Sequence, residues 1–176
     1  ETIKNKIAAY LEQYQVLILS GGVSKGKFDY VPGALAELKA EKLFHRVAQR
    51  PGKPFWFGTA PSGTVVFALP GNPVSSFMCF NRYFIPWLRK SLGLASLERP
   101  LAKLDKAIHF KPDLTYLAQV KLSVDPSGQL CALPVEGNGS GDLANLTDAD
   151  AFIEIPRGKD DFEAGELYPV IRYRPF

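Results

Sequence analysis

Val16-Leu17-Ile18-Leu19-Ser20-Gly21-Gly22-Val23-Ser24 is the stretch on which the reading of this chain turns. Four apolar residues that stop at Ser-Gly-Gly suit a short strand buried on both faces, as in a parallel sheet. Upstream, Ile3, Ile7, Leu11 and Tyr14 recur every three or four residues, which predicts an amphipathic helix opening at Glu1 and Thr2. Downstream, Val31–Ala40 has helical spacing through Leu35 and Leu38, with Pro32 tolerated in the first turn. Leu43–Ala48, Phe55–Gly58 and Val65–Leu69 read as strands, the last two joined by Pro61-Ser62-Gly63. Pro73–Leu92 is the longest helical pattern, with Phe77, Phe80, Phe84, Leu88 and Leu92 on one face and Pro86 expected to kink or divide it.

The pattern changes after Gly93, and Ala95–Pro100 reads as a linker. Leu101–Phe110, Tyr116–Val124, Leu130–Val135, Ala151–Ile155 and Leu167–Tyr173 follow as short strands between turn residues. The expected fold class is therefore α/β. A layered domain with a parallel-rich sheet occupies 1–94, and a small antiparallel β-barrel or sandwich occupies 98–176.

The 176 residues, 46% of them hydrophobic, are globular in composition. Even the run Val65–Leu69 stops at Pro70, so no segment spans a bilayer as a helix and no membrane role is expected. The net charge of +3 comes without a run of five like charges, which argues against a nucleic-acid partner. Cys79 and Cys131 stand far apart without CxxC spacing. That favours reduced thiols over a disulfide or structural metal, and with no signal peptide visible a cytoplasmic location is expected.

Two loops share one physical design. Val16–Leu19 runs into Ser20-Gly21-Gly22-Val23-Ser24, and Val65–Leu69 runs into Pro70-Gly71-Asn72-Pro73, each ahead of a helix. Ligands of open α/β sheets sit beyond the carboxyl ends of strands, and glycine there lets backbone N–H groups approach an anion. Pro73 falls in the first turn of the second helix, with the hydroxyls of Ser75 and Ser76 beside it. A third loop adds charge: Arg46, Arg50 and Lys53 lie within eight residues, stiffened by Pro51 and Pro54. Asp29 is the carboxylate nearest the first glycine loop and fits three roles, a cap for the helix at Val31, a Mg²⁺ ligand or a group acting on water. His45 and His109 lack a second His or Cys at ligand spacing and read as packing or surface residues. Cys79 reads as core.

At these motifs the chain resembles the molybdopterin molybdenumtransferase family, known as MoeA in bacteria and as the E domain of gephyrin in animals. The resemblance rests on Ser20-Gly21-Gly22-Val23-Ser24-x-Gly26-x-x-Asp29-Tyr30-Val31, on Arg50-Pro51-Gly52-Lys53-Pro54, and on Leu69-Pro70-Gly71-Asn72-Pro73-Val74-Ser75. It implies that adenylated molybdopterin binds near these loops, that molybdate is inserted, and that the adenylate is hydrolysed to release molybdenum cofactor and AMP. It also implies a MogA-like three-layer domain followed by a domain IV-like β-domain, in a homodimer whose partners include the adenylyltransferase of the same pathway. Ser20, Gly21, Gly22, Ser24, Gly71, Asn72, Pro73 and Ser75 would then contact the nucleotide–pterin. Arg46, Arg50, Lys53 and Pro54 would receive the oxyanion, Arg50 and Lys53 with catalytic weight. Asp29 would be the Mg²⁺- or catalysis-linked acid, and Ser140, in Gly139-Ser140-Gly141, an anion contact of the second domain.

The chain opens at Glu1 within a helical pattern and without an initiator Met. This suits a fragment of a longer protein, and the resemblance implies that two further domains and an opening strand stand upstream. Two positions depart from the family pattern: Lys27 stands where an acid is common, and Gln119 where a bidentate Arg is expected. Arg46 and Arg50 also present planar forks where an ammonium would be a point donor. Two other readings remain open, a molybdopterin adenylyltransferase and a non-catalytic molybdopterin-binding or scaffolding module. The Lys27 departure leans towards the latter.

Overall fold

The computed structural model describes residues 2–24, 30–135 and 145–174. In chain order the elements of the first half are α1 (Thr2–Gln13), β1 (Val16–Ser20), α2 (Val31–Glu37), β2 (Glu41–His45), β3 (Gln49–Arg50), β4 (Trp56–Thr59), β5 (Val65–Leu69) and α3 (Pro73–Cys79). A π-helical turn (Phe80–Phe84) and α4 (Ile85–Ser91) follow. Then come β6 (Leu101–Leu104), β7 (Ile108–His109), β8 (Thr115–Val124), β9 (Leu130–Pro134), α5 (Asn145–Asp148), β10 (Ala151–Ile155), β11 (Asp161–Phe162) and β12 (Leu167–Arg172). The chain divides into two compact units, Glu1–Val47 with Gly52–Cys79 and Ala48–Pro51 with Phe80–Phe176.

The first unit is built on a sheet of order β1-β5-β4-β2. β1 and β5 are parallel, in register from Val16↔Val65 to Ser20↔Leu69, while β4 pairs antiparallel with both β5 and β2. Ile7 and Leu11 of α1 and Ala34 and Leu35 of α2 pack on one face, against Val66, Ala68 and Trp56. Phe67 alternates to the opposite face and meets Phe57, their ring centroids 4.8 Å apart. The turn between β4 and β5 closes α1: the Ser62 hydroxyl donates to the Leu11 carbonyl (2.8 Å) and that of Thr64 to the Tyr14 carbonyl (2.7 Å). Those carbonyls belong to the helix end, which has no intrahelical donors left for them.

Several expectations change here. β1 is not buried on both faces, because it lies at the end of the sheet order with β5 as its described neighbour, and Ile18 is 38% exposed. The strand expected over Leu43–Ala48 is Glu41–His45. It stops where Arg46 turns into the left-handed region at φ 77°. Pro73–Leu92 is divided, one of the two outcomes expected of Pro86, and the break is a π turn just ahead of the proline. Proline has no N–H for the carbonyl four residues back and its ring crowds that carbonyl. The extra residue of a π turn at Phe80–Phe84 relieves both problems, and α4 then starts with Pro86 in its first turn.

The second unit is a closed barrel. Its sheet runs β10-β12-β6-β9-β8-β3, and an added β10–β8 pairing joins the ends of the five main strands. Most pairs are antiparallel, but β6–β9 and β3–β8 are parallel. Alternation along the strands directs Ala118, Val120 and Leu122 of β8 and Ala151, Ile153 and Ile155 of β10 into one core with Leu104, Phe162 and Val170. The segment expected as one strand, Leu101–Phe110, breaks into β6 and β7. β7 leaves the barrel to pair with β11 through Ile108↔Phe162 and His109↔Asp161.

Candidate glycine-loop site

The parallel register sets the first unit's candidate site. Because Ser20 pairs with Leu69, the chains leaving β1 and β5 emerge side by side. The Gly21 N–H donates to the Leu69 carbonyl at 3.0 Å, extending the ladder by one residue. A β-carbon on Gly71 would stand 3.3 Å from the Gly21 α-carbon, so the two loops touch backbone to backbone. Gly21 and Gly22 have φ of 90° and 69°, which side chains resist. Among the described residues, the Gly22 and Gly71 N–H groups find no acceptor. Free backbone donors converging at the ends of parallel strands are what a small anion requires.

Hydroxyls ring this point. Ser20 Oγ lies 3.3 Å from both the Pro70 carbonyl and Ser76 Oγ, and Ser76 Oγ donates to the same Pro70 carbonyl. Ser24 lies beyond Val23 and is exposed. Asn72 is the N-cap of α3: its Oδ1 accepts from the Ser75 N–H at 2.9 Å and from the Ser75 hydroxyl at 3.0 Å, with Pro73 at the first helical position. Ser75 is therefore buried and committed to Asn72, whereas Ser20 and Gly71 remain exposed. His45 adds a contact that its sequence spacing does not signal. Its Nε2 lies 2.9 Å from the Val23 carbonyl, to which it donates, pinning the end of the first loop.

The basic loop is closed by its own backbone in the first unit. Arg46 N–H donates to the Phe55 carbonyl at 2.8 Å and Val47 N–H to that of Lys53 at 3.0 Å, while the Arg46 and Lys53 side chains are exposed. Gly52, at φ 87°, is buried, and Cys79 Sγ lies 3.9 Å from its carbonyl. Pro54 is half-buried. Arg50 belongs to the barrel unit, on β3 opposite Tyr116 of β8, and is followed by a cis peptide to Pro51. Tyr116 stacks on Phe110 with centroids 4.4 Å apart. Burial pushes its hydroxyl pKa up, and the Arg50 charge pulls against that rise. Among the described residues none of Arg46, Arg50 and Lys53 is paired with a carboxylate.

Asp29, Lys27 and Ser140 lie outside the described residues. The α2 N-cap is Tyr30, with no side-chain capping bond. Among the described residues there is no group of three His, Cys, Asp or Glu able to hold a metal ion. Gln119 accepts at its backbone carbonyl from the Val135 N–H (2.9 Å), but its buried side-chain Oε1 has no partner among the described residues. His109 pairs with Asp161 at 2.5 Å on an exposed surface, and Cys79 is fully buried.

Comparison with known proteins gives the family. Residues 1–90 match the family model described as "Probable molybdopterin binding domain", and residues 101–173 the model of the "MoeA C-terminal region (domain IV)". A molybdopterin molybdenumtransferase of Synechocystis is 43% identical over 159 residues, covering 89% of this chain and 38% of that protein. One from Staphylococcus epidermidis is 32% identical over 163 residues, with coverage of 92% and 38%. Among solved structures, a MoeA molybdopterin biosynthesis protein of Pyrococcus horikoshii superposes with a TM-score of 0.79 at 29% identity, over all of this chain and 41% of its own. The chain thus spans about two fifths of the length of these relatives.

Proposed function

The chain belongs to the molybdopterin-binding domain family through residues 1–90 and carries a MoeA-type C-terminal region at 101–173, and from this premise we propose that its parent protein is a molybdopterin molybdenumtransferase. The reaction would insert molybdate into adenylated molybdopterin and release AMP. The observation that carries this reading is the abutment of Gly21 and Gly71 at the ends of parallel strands, where the Gly22 and Gly71 N–H groups have no acceptor among the described residues.

In this proposal Ser20, Gly21, Gly22, Ser24 and Gly71 receive the phosphate and pterin, backbone N–H groups and the Ser20 hydroxyl donating to oxyanions. Asn72, Pro73 and Ser75 act one step back. Their mutual cap holds the loop that presents Gly71. The basic motif Arg50–Pro54, with Arg46 before it, supplies positive charge for molybdate, which the adenylate phosphates would otherwise repel. Catalysis on these terms is positioning plus electrostatic stabilisation, with no covalent intermediate. Ser140 is a proposed anion contact within the second domain.

Mg²⁺ would stabilise negative charge on the phosphate when bound, and Asp29 is its proposed ligand. The described residues contribute no ligand set of their own, so every step assigned above uses only the chain's backbone, hydroxyls and cations. The proposal extends to a homodimer in the cytoplasm that receives its substrate from the adenylyltransferase of the same pathway, with domain limits at 1–94 and 98–176. No helix among the described residues is long and apolar enough to cross a membrane. The adenylyltransferase reading would use the same glycine loops, but it gives no role to a MoeA-type C-terminal region.

Calorimetric titration with molybdate, and separately with AMP and Mg²⁺, tests the proposal. Arg50→Ala/Lys53→Ala should abolish molybdate binding while leaving AMP binding in place. Molybdate binding that survives the double substitution would refute the assigned oxyanion site.

A further inference from the structure

A gap opens in the barrel wall along β8. On one flank β8 pairs with β10 over Tyr116–Val120. On the other it pairs with β9 only over Val120–Val124, and with β3 at Thr115 and Tyr116. Leu117, Ala118 and Gln119 thus have no paired strand residue on that flank, where the bond from the Val135 N–H to the Gln119 carbonyl is the one continuation of β9. A pocket of about 410 Å³ lies here, wholly within the barrel unit, with Ile108 and Val135 among its walls. Because the sheet is interrupted, both of its faces border the pocket. Tyr116 comes from the core-facing set and Gln119 from the other, and Lys106 and His109 line it as well.

The fold leaves the polar groups of this pocket unsatisfied. Gln119 Oε1 is buried without a partner, and among the described residues nothing bonds the amide nitrogen either. The Tyr116 ring stacks on Phe110, but its hydroxyl has no hydrogen-bond partner among the described residues, and burial raises its pKa so that it stays a neutral phenol. His109 gives its Nδ1 to Asp161, which leaves Nε2 open. A buried polar group without a partner costs free energy, and native folds seldom leave one unless something outside the chain meets it. The amide and the phenol each offer both donor and acceptor, and neither carries charge. What satisfies them is a neutral edge with a donor beside an acceptor. A lactam has that edge, and it fits Gln119 in either orientation of the amide.

We propose that this pocket binds a small neutral heterocycle with a lactam-like edge, held by the Gln119 amide and the Tyr116 hydroxyl, its ring against Ile108 and Val135. None of the glycine-loop or Arg50–Pro54 residues is among the described walls of the pocket, so the proposal stands apart from the molybdate reading.

The full chain, labelled with ¹⁵N, is titrated with 2-pyridone, N-methyl-2-pyridone and benzoate while its amide resonances are followed. At millimolar concentration 2-pyridone should shift the amides of Ile108, Gln119 and Val135. The N-methyl form keeps the acceptor but lacks the donor, and should bind about tenfold more weakly. Benzoate, a charged acceptor without a donor, should also be the weaker ligand. Gln119→Leu removes the amide at similar size and should weaken 2-pyridone about tenfold. Its thermal midpoint should equal or exceed that of the parent chain, because no bond within the fold is lost. No shift by 2-pyridone, equal binding of the N-methyl form, tighter binding of benzoate through Lys106, or unchanged affinity in Gln119→Leu would each overturn the assignment. A lowered midpoint would do the same, by showing that the amide already has a partner, and the three-probe comparison on the parent chain decides without the variant.

Discussion

Gly21 and Gly71 lie 50 residues apart in sequence, yet a β-carbon on Gly71 would come within 3.3 Å of the Gly21 α-carbon. The two glycines are not equivalent. Gly21 sits at φ 90°, where an L side chain is strained, whereas Gly71 is constrained only by its neighbour. Gly21→Ala should therefore cost about 1–2 kcal/mol of stability from backbone strain. Gly71→Ala should cost less, because Gly21 needs to shift by only a few tenths of an ångström. Both should weaken AMP binding, since the loops that meet at these residues are the ones proposed to hold phosphate. Thermal unfolding and calorimetry on the two variants check the pair, and an AMP affinity unchanged in both would separate these glycines from the site.

The cap of α3 makes a second prediction. Asn72 Oδ1 serves the Ser75 N–H and hydroxyl together, so Asn72→Ala removes both bonds and should cost about 1 kcal/mol. Ser75→Ala removes only the hydroxyl and leaves the capping N–H bond, so it should be the milder change. Urea midpoints of the two variants decide the order. A Ser75→Ala variant as unstable as Asn72→Ala would mean that packing of the buried Ser75, not the cap, sets the cost.

Much of this architecture was legible before any coordinates, and what was not has physical causes. Val65–Leu69 and Ala151–Ile155 stand where the sequence puts them: Val65–Leu69 is an unbroken apolar run with four of its five residues buried, and Ala151–Ile155 is apolar except at Glu154. β1 carries a similar run, yet Ile18 is exposed, since composition cannot say which strand ends a sheet. β3 and β11 are two residues long and exist only through their partners, so no local pattern marks them. The glycine loops were visible as motifs, and so was Asn72-Pro73-x-Ser75. What the motif did not reveal is that the Ser75 hydroxyl is tied to Asn72. The His45 contact to Val23 joins residues 22 apart and has no sequence signal at all. Asp29 and Ser140 lie outside the described residues.

Arg50 and Tyr116 give a spectroscopic test inside the barrel. Burial raises the Tyr116 hydroxyl pKa and the Arg50 charge lowers it, with burial the larger effect. Arg50→Ala removes the opposing influence, so Tyr116 should ionise at a still higher pH. Ultraviolet difference titration reads this as one tyrosinate moving to a still later part of the alkaline transition, with Tyr116→Phe identifying which tyrosine moved. A transition unchanged by Arg50→Ala would show that its guanidinium is turned away from the Tyr116 ring, and would weaken the case for charge at this end of the motif.

Glu154 sets how the barrel unit responds to acid. Burial pushes its carboxyl pKa up, but hydrogen bonds and charge from Arg99 and Arg82 outweigh burial and leave it below the ordinary carboxylate value. A carboxyl whose folded pKa lies below its unfolded one contributes stability that is fully present above the unfolded value, about 4.3 for Glu. That contribution is lost as the pH falls through the folded value. The parent chain should therefore lose stability on this account below about pH 4, and Glu154→Gln should flatten that part of the profile. The variant should also be less stable at neutral pH, because two guanidinium groups would be left facing each other without their shared anion. Urea midpoints across the acid range measure both effects on one set of curves. Parallel acid limbs for parent and variant would mean that the Glu154 carboxyl has the same pKa folded and unfolded, and that its ion pairs to Arg82 and Arg99 contribute nothing to stability.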